Sequence, residues 1–556
     1  MRSKNTTTFI IILSLIVGLI LIGGVFTSSA VADDDEPISQ HPLPPTPGDC
    51  TGEVSADDQT SETIGVVDGV TYKDGDIVEP SVVINEQNHE EVVAVTSARV
   101  ESIRCLTFEE SVSTEIWTQD EYKDHLDNAH EYDALEDDFN TELYRSLLFN
   151  DLDSAHDAEL ENELAHSIIY LSDENTIVFV ENEEGVISTN EAELAYKLSL
   201  ALLDQNHDLE PDNATTLEDQ QRVNSVIHGD AQYVGATHTI ACRTGGWEEC
   251  TPVTEFIPDI EYIGFGHLYG FTLYEGASFV ATIYDDGGWD DVNQLYETPP
   301  ESTADVHHNE LGVVEPVEVE LNGANPEGEW NQLQHPTQPD SVTVGPSGMS
   351  VLLLRHLPAE ITLNEAGGGD FTFDPVSPFN YHSEFITGWE GDTLEMYESS
   401  ATEETGFVWT IQFEDSEDVE LFSNEYQGIL EREHRATEVD ENTYHIGESA
   451  DFSGVYHIIE DGDTLTIVQA ESVSSVESLH AEANVEGEIQ TEPVDDDTSD
   501  DQTGEDRGDH EAFYSPIIRF VIFAITAACI IYVAWSLFHE EVDEGEETGN
   551  ENEENN

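Results

Sequence analysis

The chain has 556 residues, of which 121 are acidic and 15 basic, giving a formal charge of -106. Such a charge repels itself strongly in dilute buffer but is screened at molar salt, where the Debye length is about 3 Å, so the composition points to a halophile. It excludes nucleic-acid binding, which needs a basic footprint, and a hydrophobic content of 38% excludes a wholly disordered chain.

Residues 1–32 have the pattern of a secretory signal peptide: Arg2 and Lys4, an apolar run from Phe9 to Phe26, then small residues through Ser28, Ser29, Ala30 and Ala32. An uncleaved N-terminal anchor is the alternative, because the run is long enough to span a bilayer. Residues 33–49 form an acidic, Pro-rich linker. Of the five cysteines, Cys50, Cys105, Cys242 and Cys250 fall in the exported part. The short loop from Cys242 to Cys250 favours a local bridge, leaving Cys50 to pair with Cys105, and export makes such staples expected. Asn213 opens an Asn-Ala-Thr glycosylation acceptor.

A helical pattern is expected over residues 119–170, followed by a strand at 176–180. The next element is a helix over 190–209. Leu194, Ala195, Leu198, Ala201 and Leu202 form one apolar stripe on it, and Tyr196, Leu200 and Leu203 form a second, so it is expected to be buried on two sides. A further helix is expected at 217–235. From residue 313 onward, strands at 351–354 and 465–468 alternate with a helix around 416–431. Residues 485–512 are acidic and nearly devoid of apolar side chains, a solvated stalk. Residues 517–538 read as a transmembrane helix and 539–556 as an acidic cytoplasmic tail.

Several pieces in order carry a family resemblance. Tyr196-Lys197-Leu198-Ser199-Leu200-Ala201-Leu202-Leu203-Asp204-Gln205 is followed by His228-Gly229-Asp230-Ala231, Gly276-Ala277-Ser278-Phe279-Val280, Gly287-Gly288-Trp289, Pro299-Pro300-Glu301-Ser302-Thr303 and a trailing His308. Then come Gly388-Trp389-Glu390-Gly391-Asp392, Phe407-Val408-Trp409-Thr410 and the segment 415–422. This succession resembles a family of secreted or membrane-anchored, gluzincin-like metallopeptidases of bacteria and haloarchaea. Their first motif is His-Glu-x-x-His, and a glutamate stands where this chain has His228. The resemblance implies an α+β fold with a zincin-like helix and sheet lobe over 50–312, a second α+β lobe over 313–480 and a C-terminal transmembrane helix.

The chemistry of that motif is missing. Two histidines one helical turn apart hold zinc, and the intervening glutamate activates water. Here Tyr196, Lys197 and Leu200 stand at the three positions. Leu200 offers no donor, neutral Tyr196 is a poor one, and Lys197 is a cation where a base is needed. The expected function is therefore that of a membrane-tethered, single-pass extracellular pseudo-metallopeptidase of a halophilic archaeon, without a cofactor and with peptide or protein binding retained in the former groove. One alternative is a zinc-dependent hydrolase with a relocated site built on His228, His238 and a carboxylate, with His207 a further candidate ligand. Another is a structural envelope protein. Asp204, Gln205 and Asp230 are expected to be structural, and Asn162-Glu163-Leu164-Ala165-His166 is set aside as a chance likeness to the zinc motif.

Overall fold

The computed structural model describes residues between Thr63 and Val485, apart from short gaps and the longer stretches 74–83, 210–215, 251–264, 357–363 and 365–373. The expected signal peptide, linker, stalk, transmembrane helix and tail, together with Cys50 and Asn213, lie outside the described residues. No described helix is long and apolar enough to cross a membrane.

A two-residue hairpin, β1 (Val66–Val67) and β2 (Val70–Thr71), precedes the buried helix α1 (His89–Arg104). Next come β3 (Ser113–Thr118), α2 (Gln119–Ala129), α3 (Ala134–Ser146), α4 (Ala155–Leu164), β4 (Ile168–Leu171) and β5 (Thr176–Glu181). The helical pattern expected over 119–170 thus resolves into three helices and a strand. In the three-stranded sheet β5 is central, parallel to β3 and antiparallel to β4. The run Ile177-Val178-Phe179-Val180 does not alternate with polar residues because both its faces are covered. Ile177 and Phe179 enter the main core, and Val178 and Val180 meet Tyr122 and Leu126 of α2. The edges of this sheet are β3 and β4, and β4 begins just after the segment 162–166.

The motif helix is α5 (Glu191–Asn206), followed by α6 (Leu217–Thr244). Leu194, Ala195, Leu198, Ala201 and Leu202 of α5 sit in the main core, while Tyr196 and Leu203 join a separate small cluster with Ala231 of α6. The two-stripe pattern of the sequence thus corresponds to two packed faces. Helix α6 runs nine residues beyond the expected end at 235, since no helix breaker follows Gly235. It then crosses the helical run α7 (Phe265–Gly270), a π-helical turn (Phe271–Glu275) and α8 (Gly276–Gly287). A Cβ on Gly229 would lie 2.3 Å from the Gly276 carbonyl carbon, and one on Gly276 would lie 2.4 Å from the Ser225 oxygen, so only a pair of glycines permits this crossing. Helices α9 (Trp289–Glu297) and α10 (Thr303–His308) follow.

The rest of the chain builds an antiparallel eight-stranded sheet from β6 (Trp330–Gln332), β7 (Ser341–Val342), β8 (Trp389–Ser399), β9 (Thr405–Phe413), β10 (Thr437–Asp440), β11 (Thr443–Ile446), β12 (Gly454–Asp461) and β13 (Thr464–Ala470). The order is β10-β11-β12-β13-β9-β8-β6, with β7 also paired to β8. Strand β9 alternates with period two: Phe407, Trp409, Ile411 and Phe413 face the main core, and Val408 faces a second core. Helix α11 (Gly345–His356) lies between β7 and β8 in sequence, α12 (Ser416–Arg432) covers the main-core face of the sheet, and α13 (Val473–Leu479) covers the other.

Two expectations need correction. The segment Val351–Leu354 is helix, not strand. A four-residue apolar run suits either, and here it continues a helix opened by Gly345-Pro346 whose residues 345–354 are all buried. Nor does residue 312 divide two cores: one apolar cluster runs from Val67 through Leu198, Phe279 and Val306 to Ile467, and the described residues form one compact unit. The mixed α+β class stands.

Candidate functional site

The face of α5 that carries Tyr196 and Lys197 meets α6, α7 and the link from α4 to β4. The Tyr196 hydroxyl lies 2.8 Å from His228 Nδ1 and 2.7 Å from the Tyr269 hydroxyl. His228 is the residue just before the Gly229–Gly276 crossing, which fixes how closely its helix approaches α5. Glu193, one turn before Lys197, accepts a hydrogen bond from Ser167 Oγ at 3.3 Å. Tyr196 is buried, whereas Glu163, His166, Ser167, Glu193, Lys197, His228 and Tyr269 are half-buried, so the cluster is reachable from solvent.

Its electrostatics follow from partial desolvation around one ammonium group. Burial holds the Lys197 pKa below the usual lysine range, opposed by the nearby carboxylates of Glu193 and Glu163. Burial and then the Lys197 charge push His228 down to about 4 and His166 down to about 4. Burial also raises Tyr269 to about 12 and Tyr196 well above its ordinary value. At neutral pH both imidazoles and both phenols are therefore uncharged, and the one cation is balanced by carboxylates. Such a set can donate to and accept from a polar main chain or a carboxylate.

It is a poor metal site. Leu200, which the resemblance sets at the second histidine position, packs against the small apolar cluster of Tyr196, Leu203 and Ala231. The three histidines suggested for a relocated centre go to three places. His228 binds Tyr196, His238 binds Glu191 at 3.2 Å, and His207 stacks on Tyr296 with ring centroids 4.0 Å apart. Among the described residues, the group of three His, Cys, Asp or Glu donors within mutual reach is Glu191, His238 and Cys242, away from Tyr196. Cys242 is bonded to Cys250, and Cys105 is also in a disulfide, its expected partner Cys50 lying outside the described residues.

The segment 162–166, set aside on sequence grounds, takes part in the site. Both Glu163 and His166 lie close enough to Lys197 to exchange electrostatic influence with it. The signal was its position immediately before the edge strand β4, which the helical pattern expected over 119–170 concealed. Tyr269 had no sequence signal at all.

The other motif residues are structural. Asp230 is fully buried, accepts from Arg104 Nε at 2.9 Å and from the Tyr296 hydroxyl at 2.9 Å, and anchors α6 to α1 and α9. Trp289, set by Gly288 at φ 74°, donates to the Ile103 carbonyl at 2.9 Å and lies under the Arg104 guanidinium. Asp204 accepts from Tyr170 at 2.7 Å, and Gln205 accepts from the Glu109 amide at 2.8 Å. Ser302 caps α10, and Thr303 donates from Oγ1 to Glu218 at 2.9 Å. Asp392 receives the indole hydrogens of Trp389 and Trp409, each at 3.0 Å, together with the amides of Val344 and Gly345.

Comparison with known proteins adds one match: residues 332–480 fit a family model described as "Domain of unknown function (DUF8575)". The matched span covers most of the eight-stranded sheet with α11, α12 and α13, and it excludes the Tyr196–His228 cluster. No curated protein and no solved structure matches the chain.

Proposed function

We propose that this chain is a membrane-tethered surface protein that retains a metallopeptidase-like frame and uses it to bind polypeptide rather than to cut it. The observation that carries the reading is the hydrogen bond from Tyr196 to His228, with Leu200 packed in an apolar cluster one turn away. Where a zinc peptidase would converge donors on a cation, this chain joins two of those positions to each other and makes the third apolar. Lys197 supplies the positive charge of the site and cannot act as a carboxylate base. Edge strand β4 offers main-chain hydrogen bonds beside this cluster, the usual way an extended peptide docks on a sheet. Tethering rests on the N-terminal and C-terminal apolar runs of the sequence.

The test uses the oxidised full chain in molar salt. Metal analysis should find no stoichiometric zinc, a casein-type assay should show no chelator-sensitive cleavage, and immobilised unfolded polypeptide should capture the protein. Capture should weaken at least tenfold in Lys197→Met and in Tyr269→Phe. Zinc at one equivalent together with chelator-sensitive hydrolysis would refute the proposal, and so would capture indifferent to both substitutions.

A further inference from the structure

The end of α6 carries a second arrangement of donors, which the binding site does not use. His238 and Cys242 lie one helical turn apart, on one face of the helix, and His238 Nδ1 is 3.7 Å from Cys242 Sγ. The opposite ring nitrogen, Nε2, is 3.2 Å from the Glu191 carboxylate, which is fully buried, as is His238. A carboxylate accepts only, so Nε2 carries the proton and the Nδ1 lone pair points toward sulfur. Cys250 completes the group through its disulfide with Cys242. Arg99, also fully buried, pairs with Glu191 and approaches Cys250 Sγ to 3.7 Å, and the Trp247 ring covers both Arg99 and His238.

A disulfide staple has no need of an imidazole whose lone pair faces its sulfur, nor of a buried carboxylate to fix the tautomer. That carboxylate–imidazole pairing is how proteins orient a histidine that ligates a metal. We infer that reduction of the Cys242–Cys250 disulfide converts this group into a zinc site, with His238 Nδ1, Cys242 Sγ and Cys250 Sγ as ligands and Glu191 orienting His238. A dithiol reductant supplies two electrons that break the S–S bond and itself closes to a disulfide. The two thiol protons leave to solvent as the two zinc–sulfur bonds form. Charge balance favours the assembly, because two thiolates match the dication and Glu191 continues to match Arg99. Three protein ligands of soft and nitrogen type leave a fourth position for water, a common zinc arrangement. A disulfide oxidant that accepts the two electrons and is itself reduced to a dithiol reforms the Cys242–Cys250 bond and expels the ion.

Cobalt(II) titration of the full chain in molar salt, before and after phosphine reduction, tests this. The reduced chain should take up one equivalent with a thiolate-to-cobalt charge-transfer band that zinc bleaches, and the oxidised chain should show no band. Cys242→Ser and Cys250→Ser should each abolish it although Cys50, Cys105 and Cys529 remain. His238→Gln should also abolish it, and Glu191→Gln should weaken cobalt affinity about 10- to 100-fold. Far-ultraviolet circular dichroism reports the fold throughout. The inference is overturned by a reduced, folded chain without the band, by a band that survives Cys242→Ser, or by reduction that unfolds the chain with the metal present.

Discussion

Asp392 is the sharpest place to perturb this fold, because four donors converge on one buried carboxylate. Oδ1 accepts from the Gly345 amide at 2.9 Å and Trp389 Nε1 at 3.0 Å, and Oδ2 accepts from the Val344 amide at 2.8 Å and Trp409 Nε1 at 3.0 Å. Burial raises the pKa and the four bonds lower it. Since every partner is a donor, a proton on either oxygen would displace one of them, and the geometry holds the ionised form. Asp392→Asn keeps one carbonyl for two donors but turns an amide NH2 toward the other two. Two orphaned buried donors at roughly 1–3 kcal/mol each make a loss of about 2–6 kcal/mol, reduced by whatever is regained from not burying a charge. Asp392→Ala orphans all four, about 4–12 kcal/mol, comparable with the roughly 5–15 kcal/mol stability of a typical domain, so it should not accumulate folded.

The assay is equilibrium unfolding in guanidinium at constant high ionic strength, read by tryptophan fluorescence, for which Trp389 and Trp409 are local reporters. A second readout is the neighbouring acid Glu218, which burial pushes up to about 8 with the Asp392 charge adding to the shift. Asp392→Asn should therefore also flatten the pH dependence of stability near pH 8. An Asp392→Asn protein within 1 kcal/mol of the parent would show that the four contacts do not hold the sheet to α11 as argued.

Three further outcomes follow from the same structure. Stability should peak near pH 6.5: Glu101, raised to about 7, and Glu218 and Glu275, each raised to about 8, contribute stability that is present below 4.5 and lost as pH rises through those values. His166, His228, His267 and His434, each held to about 4, contribute stability present above 6.5 and lost as pH falls toward 4, each group giving a slope of up to about 1.4 kcal/mol per pH unit. A melting temperature that climbs steadily from pH 6 to 9 would contradict this. Lys197→Met should raise the pKa of His228 and His166, since the Lys197 charge depresses both, and histidine-labelled NMR titration would detect the shift or its absence. The triple variant Tyr196→His, Lys197→Glu, Leu200→His, with His228 in place, should take up one zinc ion in its oxidised form, whereas failure to bind would mean that α5 and α6 do not share a metal-competent spacing.

Legibility in the sequence followed the strength of local pattern. The two apolar stripes of α5 could be read because a helix buried on two sides leaves an i, i+3, i+4 signature on each face, and both faces are filled. Strand β13, expected at 465–468, declared itself by the β-branched residues Thr466, Ile467 and Val468. The segment Val351–Leu354 could not be assigned by period, because a helix apolar on every side and a strand buried on both look alike over four residues. At the site, sequence logic could say what Tyr196, Lys197 and Leu200 cannot do, since that depends on side-chain chemistry alone. It could not say that Tyr269, Glu163 and His166 gather around Lys197, because they come from segments more than 30 residues away whose convergence is decided by tertiary packing.

Several polar residues of the motifs that carry the family resemblance are bound up in buried contacts between elements. Asp230 joins α6 to α1 and α9, Thr303 joins α10 to Glu218 at the start of α6, and Asp392 joins β8 and β9 to α11. Each is a fully or nearly fully buried polar group whose loss leaves partners unsatisfied, at roughly 1–3 kcal/mol per group. Substitution at those points is therefore opposed by stability whatever the protein does. The positions Tyr196, Lys197 and Leu200 face a half-exposed cluster and a small apolar cluster, where new side chains can find partners at little cost to the fold. Under the proposed reading, the metal donors and the base at positions 196, 197 and 200 would therefore be lost before these anchors, because replacing them leaves no buried polar partner unsatisfied.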